Sequence, residues 1–265
     1  MGIYQNLFSG LNRAALIPFF VIGDPDEETS FQLIKTAIDA GADILELGIP
    51  FSDPVADGPT IQKADIRAMK SGMTPQKALA FIKRITDYRP IPIGLLVYYN
   101  LIYQYGIERF FRDFKEAGGT SVLVADLCID DADEIAPIAK ATGLETVFMV
   151  TPNTSDQRIQ KVATYTTGFI YTVSLLGTTG ERSGLSDFVR PLIERLKSLT
   201  DKPICVGFGI STAEHAKDVA KAGADGVIIG SRIIKFIEDN LDNPEIMNTQ
   251  INNYIQDVAK EIAHL

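Results

Sequence analysis

Residues 40–60 read AGADILELGIPFSDPVADGPT, and the layout of this stretch decides the fold. Ala40-Gly41-Ala42-Asp43 has the form of a helix end, with a glycine just past the last turn. A short apolar run follows, Ile44, Leu45, Leu47 and Ile49, interrupted by a single acid, Glu46. Beyond it come Pro50, Asp53, Pro54 and Asp57, in a loop closed by Gly58-Pro59. A charge inside a buried strand is costly unless it is paired or put to use. Two readings of Glu46 follow: a core acid ion-paired to a lysine, or one side of a site completed by acids beyond the strand. Asp53 and Asp57 carry the same ambiguity, as site carboxylates or as turn formers.

Outward from this stretch the chain repeats itself. The helix-end element recurs before apolar runs as Ala117-Gly118-Gly119-Thr120 and Ala222-Gly223-Ala224-Asp225. Strands are expected over 15–22, 44–49, 92–98, 121–126, 146–150, 169–174, 203–207 and 226–230. Helical patterns fall over 3–9, 27–40, 60–71, 74–87, 107–117, 132–142, 155–164, 212–222, 231–241 and 244–264. Runs apolar on both faces, each followed by a helix, fit a parallel sheet wrapped in helices. The expected fold is α/β: one (β/α)8 TIM barrel over 1–265, with extra N-terminal and C-terminal helices. The 3–9 helix would plug the barrel bottom. A doubly wound open sheet is the alternative, and the repeat of one βα unit favours the barrel.

Length and charge narrow the function. A chain of 265 residues, 46% hydrophobic, can bury a large core. Its net charge of −9, with no block of consecutive basic residues, argues against nucleic acid and anionic membrane as partners. Anionic small molecules stay open, because backbone amides bind phosphate without Lys or Arg. The first residues lack the apolar core of a secretory signal, Asn6 stands where a myristoylation signal needs Ser or Thr, and no apolar run is long enough to span a bilayer. Cys128 and Cys205 are not spaced as a metal or redox pair, suit a reduced cytoplasm, and read as small core or near-core hydrophobes. The two histidines, His215 and His264, fall in helical stretches, which argues against a Ser-His-Asp mechanism and rules out a three-histidine zinc site within one chain. Acid–base work therefore falls to carboxylates or tyrosine, and no metal is expected.

In such barrels the site is built from loops after the strands. The sixth, residues 175–184 with Thr179 and Gly180, is long, polar and glycine-rich, the composition of a lid or of an ordinary flexible loop. The seventh, Gly207-Phe208-Gly209-Ile210-Ser211, and the eighth, Ile229-Gly230-Ser231, put glycine between a strand and a helix N-terminus. Such positions offer free amides and a positive dipole end to phosphate. Phe19, Tyr98, Phe148 and Tyr171 sit near strand ends, as pocket walls or as barrel packing.

The stretch from Leu45 to Pro54, continued by Ala56-Asp57-Gly58-Pro59-Thr60-Ile61-Gln62, closely resembles the signature of the tryptophan synthase alpha chain family. Supporting matches run the length of the chain: Gly23-Asp24-Pro25, Pro92-Ile93-Gly94-Leu95-Leu96, Val122-Leu123-Val124-Ala125-Asp126, Thr178-Thr179-Gly180, and the seventh and eighth loops. The resemblance implies cleavage of indole-3-glycerol phosphate to indole and glyceraldehyde 3-phosphate. It assigns proton transfer at indole C3 to Glu46 and the indole N–H partner to Asp57. Phosphate contacts fall on Gly180, Gly207, Gly209, Gly230 and Ser231, the indole pocket on Phe19, Leu96, Leu123, Tyr171 and Ile228, and the lid on Thr179. It further implies a tryptophan synthase beta chain as partner in an α2β2 heterotetramer, pyridoxal phosphate in that partner and no cofactor in this chain, and a cytoplasmic location.

Two positions depart from the family pattern: Leu175, where many members carry arginine, and Cys128, where a proline is common. Both bear on lid closure and partner contact more than on the acid pair. Two other functions compete, a phosphate-binding barrel isomerase and an inert barrel kept to activate a partner. Intact Glu46 and Asp57 speak against the second.

Overall fold

The structure, a computed structural model, describes residues 2–173, 185–207 and 209–263, with backbone alone for 185–188. Thr179, Gly180 and Leu175, and with them the expected lid, lie outside the described residues, as do Phe208 and His264. The described strands are β1 (Ala15–Val21), β2 (Leu45–Gly48), β3 (Ile93–Val97), β4 (Ser121–Val124), β5 (Glu145–Thr146), β6 (Phe148–Val150), β7 (Ile170–Val173), β8 (Ile204–Gly207) and β9 (Gly226–Ile229). They pair in parallel in the order β5-β4-β3-β2-β1-β9-β8-β7-β6.

The fifth expected strand is thus split in two at Val147. Its first half pairs with β4 (Ser121↔Glu145) and its second with β7 (Phe148↔Ile170). Val147 itself donates to the Val122 carbonyl at 3.0 Å, while Gly168 donates to the Thr146 carbonyl, also at 3.0 Å. The broken run therefore touches both ends of the sheet, and the TIM barrel closes through it.

The helix-end repeat has a physical reason beyond the turn. Gly41, Gly118 and Gly223 have φ of 116°, 96° and 102°, which a side chain would strain. The polar residue two places on then takes an amide from the neighbouring strand's start. Leu16 N–H donates to Asp43 at 2.8 Å, Ile93 N–H to the Thr120 hydroxyl at 3.2 Å, and Ile204 N–H to Asp225 at 2.8 Å. Each repeat ends a helix and sets the register of the strand that follows against its neighbour.

Apolar side chains fill two layers. Ile17, Ile44, Leu123, Val147, Tyr171, Cys205 and Ile228 form a cluster inside the barrel; Leu16, Phe20, Leu47 and Leu95 join the larger cluster under the helices. Helix Ile3–Gly10 plugs the bottom. Tyr4 is wholly buried there with its hydroxyl 2.8 Å from Ser121 Oγ, and Ile3 N–H donates to Glu145 at 2.5 Å. Glu145 thereby caps a helix that lacks a side-chain cap of its own. On the outside of the barrel, helix Pro244–Ala263 packs against helices Glu27–Asp39 and Ala213–Lys221.

Helices Tyr99–Tyr105 and Leu185–Leu199 and the 3-10 turn Ile129–Glu134 are absent from the sequence-based expectation. Pro191 lies inside the second of these, where a proline ordinarily signals a helix stop. Of the two cysteines, Cys205 is a core residue, whereas Cys128 is exposed with Arg158 Nη2 at 3.0 Å, because the turn after β4 carries it outward. Among the described residues no helix is long and apolar enough to cross a membrane.

Candidate active site

A cavity of about 190 Å³ opens at the C-terminal ends of the strands. Its walls are Phe19 from β1, Glu46 from β2, Leu96 from β3, Tyr171 from β7 and Ile228 from β9. Asp57, Gly58 and Ile61 close one side; Gly209, Ile210, Ser211, Gly230, Ser231 and Arg232 form the opposite rim.

Glu46 pairs in register with Phe19 on β1 and Gly94 on β3, so the sheet fixes its backbone on both sides. It is only 4% exposed, and its Oε2 has no hydrogen-bond partner among the described residues. No described lysine or arginine offsets its charge, so the ion-paired core reading has no support. Burial, and then repulsion from Asp57, push its pKa up to about 8. At neutral pH Glu46 is mostly a neutral acid with a proton to give.

Asp57 stands in the loop after β2, half-buried, and accepts the Tyr98 hydroxyl at 2.6 Å. The same hydroxyl oxygen accepts the Ala56 N–H at 3.2 Å, and the Tyr98 ring stacks on Phe51 at 5.0 Å. Burial raises the Asp57 pKa and the Tyr98 bond lowers it, the first being larger. The two acids differ in kind: one is desolvated and unpaired, the other held by a phenol. Asp53 is exposed, bonded to Ser52, and does not reach the cavity.

Across the mouth, helix Ser231–Asp239 starts at Gly230 with no side-chain cap, so its first amides remain available. Gly209 has φ of 78°, which turns the chain sharply before helix Ala213–Lys221. A Cβ on Gly230 would lie 3.2 Å from Phe19, so glycine here lets the phosphate-side rim meet the aromatic wall. The uncapped start of helix Ser231–Asp239 suits an oxyanion of phosphate type, whereas helix Ala213–Lys221 is capped by the Thr212 hydroxyl, which accepts the His215 N–H at 3.1 Å.

The fold brings Phe19, Glu46, Asp57, Leu96, Tyr171, Gly209, Ile228, Gly230 and Ser231 to one cavity. Leu123 lies a layer deeper, beside a void of about 10 Å³ beneath Glu46 that Tyr4 and Ser121 also line. Gly207 makes room rather than wall: a Cβ there would sit 2.5 Å from the Tyr171 hydroxyl oxygen. Phe148 faces a separate cavity beside Cys128 and Arg158. Sequence reasoning gave no individual role to Gly58, Ile61 or Arg232, although Gly58 follows Asp57 and Arg232 follows Ser231; Ile210 and Ser211 entered it only as part of the seventh loop. It left Tyr98 as a rim aromatic, since nothing in the strand pattern aims its hydroxyl at Asp57. Among the described residues no group of three His, Cys, Asp or Glu is placed to hold a metal ion.

The model of the family described as tryptophan synthase alpha chain matches residues 7–263. A tryptophan synthase alpha chain of Methanoregula boonei is 45% identical over 260 residues, covering 98% of each chain. That of Methanothermobacter thermautotrophicus is 45% identical over 94% of this chain and 92% of its own. Among solved structures, tryptophan synthase subunit alpha from Legionella pneumophila superposes with a TM-score of 0.92 at 29% identity, covering 100% of both chains. A chain from the tryptophan synthase a2b2 complex of Pyrococcus furiosus does so with a TM-score of 0.87 at 38% identity, over 94% of this chain and 98% of that one. With a family model spanning nearly all of it and full-length relatives at this identity, the chain belongs to the tryptophan synthase alpha chain family.

Proposed function

We propose that this protein cleaves indole-3-glycerol phosphate to indole and glyceraldehyde 3-phosphate, the alpha reaction of tryptophan synthesis. The observation that carries the reading is the acid pair: a buried, unpaired Glu46 with a pKa near 8 sharing one cavity with Asp57. Protonation at indole C3 turns the ring into an indoleninium, an electron sink. The C3–C1′ bond then breaks as the C1′ hydroxyl gives up its proton and becomes the aldehyde. Glu46 supplies the proton to C3, and its carboxylate then receives the hydroxyl proton, so the acid ends each cycle as it began. Asp57, ionised, faces the ring N–H and offsets the positive charge that develops there. Phe19, Leu96, Tyr171 and Ile228 provide an apolar slot for the ring, while Gly209, Gly230 and Ser231 offer amides and a hydroxyl to the phosphate. Gly180 and Thr179 belong to the same reading, as phosphate contact and lid. So do Leu123, as support under the ring, and Gly207, as the space that seats Tyr171.

The chemistry requires no cofactor in this chain. Pyridoxal phosphate belongs, in this reading, to a tryptophan synthase beta chain with which the protein forms an α2β2 heterotetramer. The rim carries apolar side chains suited to such a partner, Val55 at 81% and Tyr103 at 62% exposure. A cytoplasmic location fits the two unpaired thiols and the biosynthetic role. The test is indole release from indole-3-glycerol phosphate by the purified chain, with and without a beta chain. Turnover of a phosphorylated sugar with the indole substrate left intact would overturn the reading.

A further inference from the structure

One charged side chain on the rim has no part in the cleavage derived above. Arg232 is the second residue of helix Ser231–Asp239 and directly follows Ser231 on the phosphate side of the cavity. Among the described residues that line this cavity it is the one cation, set across from the acids Glu46 and Asp57. No carboxylate among the described residues lies within ion-pair distance of it. The acids of its own helix are taken up by other cations: Glu238 pairs with Lys63 at 2.6 Å and with Lys235 at 3.2 Å, and Asp239 with Lys235 at 2.8 Å. The Arg232 guanidinium lies instead over the Phe236 ring, 4.4 Å from its centre and one turn further along the helix. Phe236 in turn meets Tyr254 edge-on, with ring centres 5.7 Å apart.

Arg232 is exposed, and an exposed arginine on an aromatic face is held weakly, because water competes for its charge. A phosphate monoester is a stronger partner: it carries about 1.5 to 2 negative charges at neutral pH, and its oxygens take a guanidinium through paired, charge-assisted bonds. In a helix a long side chain ordinarily points back toward the N-terminus. A rotamer change alone, with the backbone in place, therefore carries the guanidinium from Phe236 to the space beyond Ser231. We propose that Arg232 is a specificity residue for the phosphate, its guanidinium leaving Phe236 to pair with that group at the uncapped start of the helix. The inference deepens the reading of the cavity given above and rests on it for the identity of the anion. Gly230 and Ser231 seat the phosphate with partial charges; Arg232 supplies the full positive charge that amides lack, in a cavity where Asp57 is already negative. A role confined to packing would keep the guanidinium on Phe236 with or without phosphate.

The test compares Arg232→Gln and Arg232→Lys in the full chain. Calorimetry reads the affinity for two probes, glycerol 3-phosphate and indole, and kcat and KM are read on indole-3-glycerol phosphate. Both variants keep the backbone amide of residue 232, so the comparison isolates the side chain. Arg232→Gln is expected to weaken glycerol 3-phosphate about tenfold while indole affinity stays within about twofold. Its KM should rise about tenfold with kcat within about threefold of wild type, since the phosphate is remote from the breaking bond. Arg232→Lys keeps the charge but not the paired donors, so its loss of glycerol 3-phosphate affinity should be smaller, about threefold. An Arg232→Gln chain that binds glycerol 3-phosphate within about twofold of wild type, or that loses affinity equally for both probes, overturns the proposal. The affinities do not depend on turnover. Absence of indole release by the wild-type chain would therefore overturn the reading of the cavity, while calorimetry still decides the role of Arg232.

Discussion

Tyr98 and Asp57 come from different βα units, yet a 2.6 Å hydrogen bond joins them, with the phenol donating to the carboxylate. The loop carrying Asp57 is otherwise held by a few local bonds, among them Asp57 N–H to the Pro54 carbonyl at 3.0 Å and the Gln62 side chain to the Asp57 carbonyl at 2.8 Å. The end of β3 therefore aims the acid of the loop after β2. An acid so aimed can meet a charge that exists only during the reaction.

Tyr98→Phe should move the acid limb of the kcat profile to higher pH. The Tyr98 bond favours ionised Asp57, so its loss raises the Asp57 pKa further and shrinks the ionised fraction at a given acidic pH. At neutral pH kcat should fall by about tenfold. An unmoved acid limb would free Asp57 from any dependence on Tyr98.

Asp57→Asn should lower turnover by about a thousandfold or more with the fold and substrate binding largely kept, because a neutral amide cannot balance the indoleninium. Turnover within about tenfold of wild type, roughly 1.4 kcal/mol of barrier, would sink the assigned role.

Glu46→Gln separates chemistry from stability. The folded-state pKa is raised from an ordinary 4.5 to about 8, so the neutral acid's contribution is fully present below 4.5 and is lost as pH climbs through 8. Glutamine cannot ionise. The mutant should therefore gain stability relative to wild type across this window, most at its alkaline end, while indole release vanishes. Urea midpoints at pH 5 and pH 8 check it, and an equal or falling difference would contradict an unpaired buried acid.

Gly230→Ala and Gly209→Ala should both raise KM more than they lower the thermal midpoint, for different reasons. At Gly230 the new methyl pushes on Phe19, 3.2 Å away; at Gly209 it strains a backbone held at φ 78°. Unfolding without a separable binding defect would make these glycines structural.

Tyr103→Asp, on the exposed rim of helix Tyr99–Tyr105, should leave the basal cleavage rate unchanged and reduce activation by a beta chain. Titration of the mutant with a beta chain, read as indole release, gives the answer. An unaltered activation curve would move the interface elsewhere.

Much of this architecture was legible in the chain, and the exceptions have physical causes. The strands announced themselves through apolar runs and the recurring helix-end element, whose Asp and Thr turned out to hold neighbouring strand amides. Glu46 stood out because charge is rare within such a run. Val147 broke its strand because that run must bond to both edges of the sheet at different heights, which no linear pattern records. Asp65, 4% exposed on helix Pro59–Lys70, was hidden by its neighbour: Ile66 looks like the buried residue and is 47% exposed, whereas the helical spacing from Ile61 turns Asp65 inward. Phe51 and Tyr98 could not be paired from sequence, because their contact depends on where two loops cross.

The plug at the barrel bottom has a consequence for the order of folding. Ile3 bonds to Glu145 and Tyr4 to Ser121, across 142 and 117 residues of chain. Closing loops of that length carries a large entropic cost, recovered only once the distant strands already stand in place. Ile3 and Tyr4 thus lack these partners until 142 and 117 further residues have followed. Their docking belongs to a late step, in which a finished ring is sealed from below.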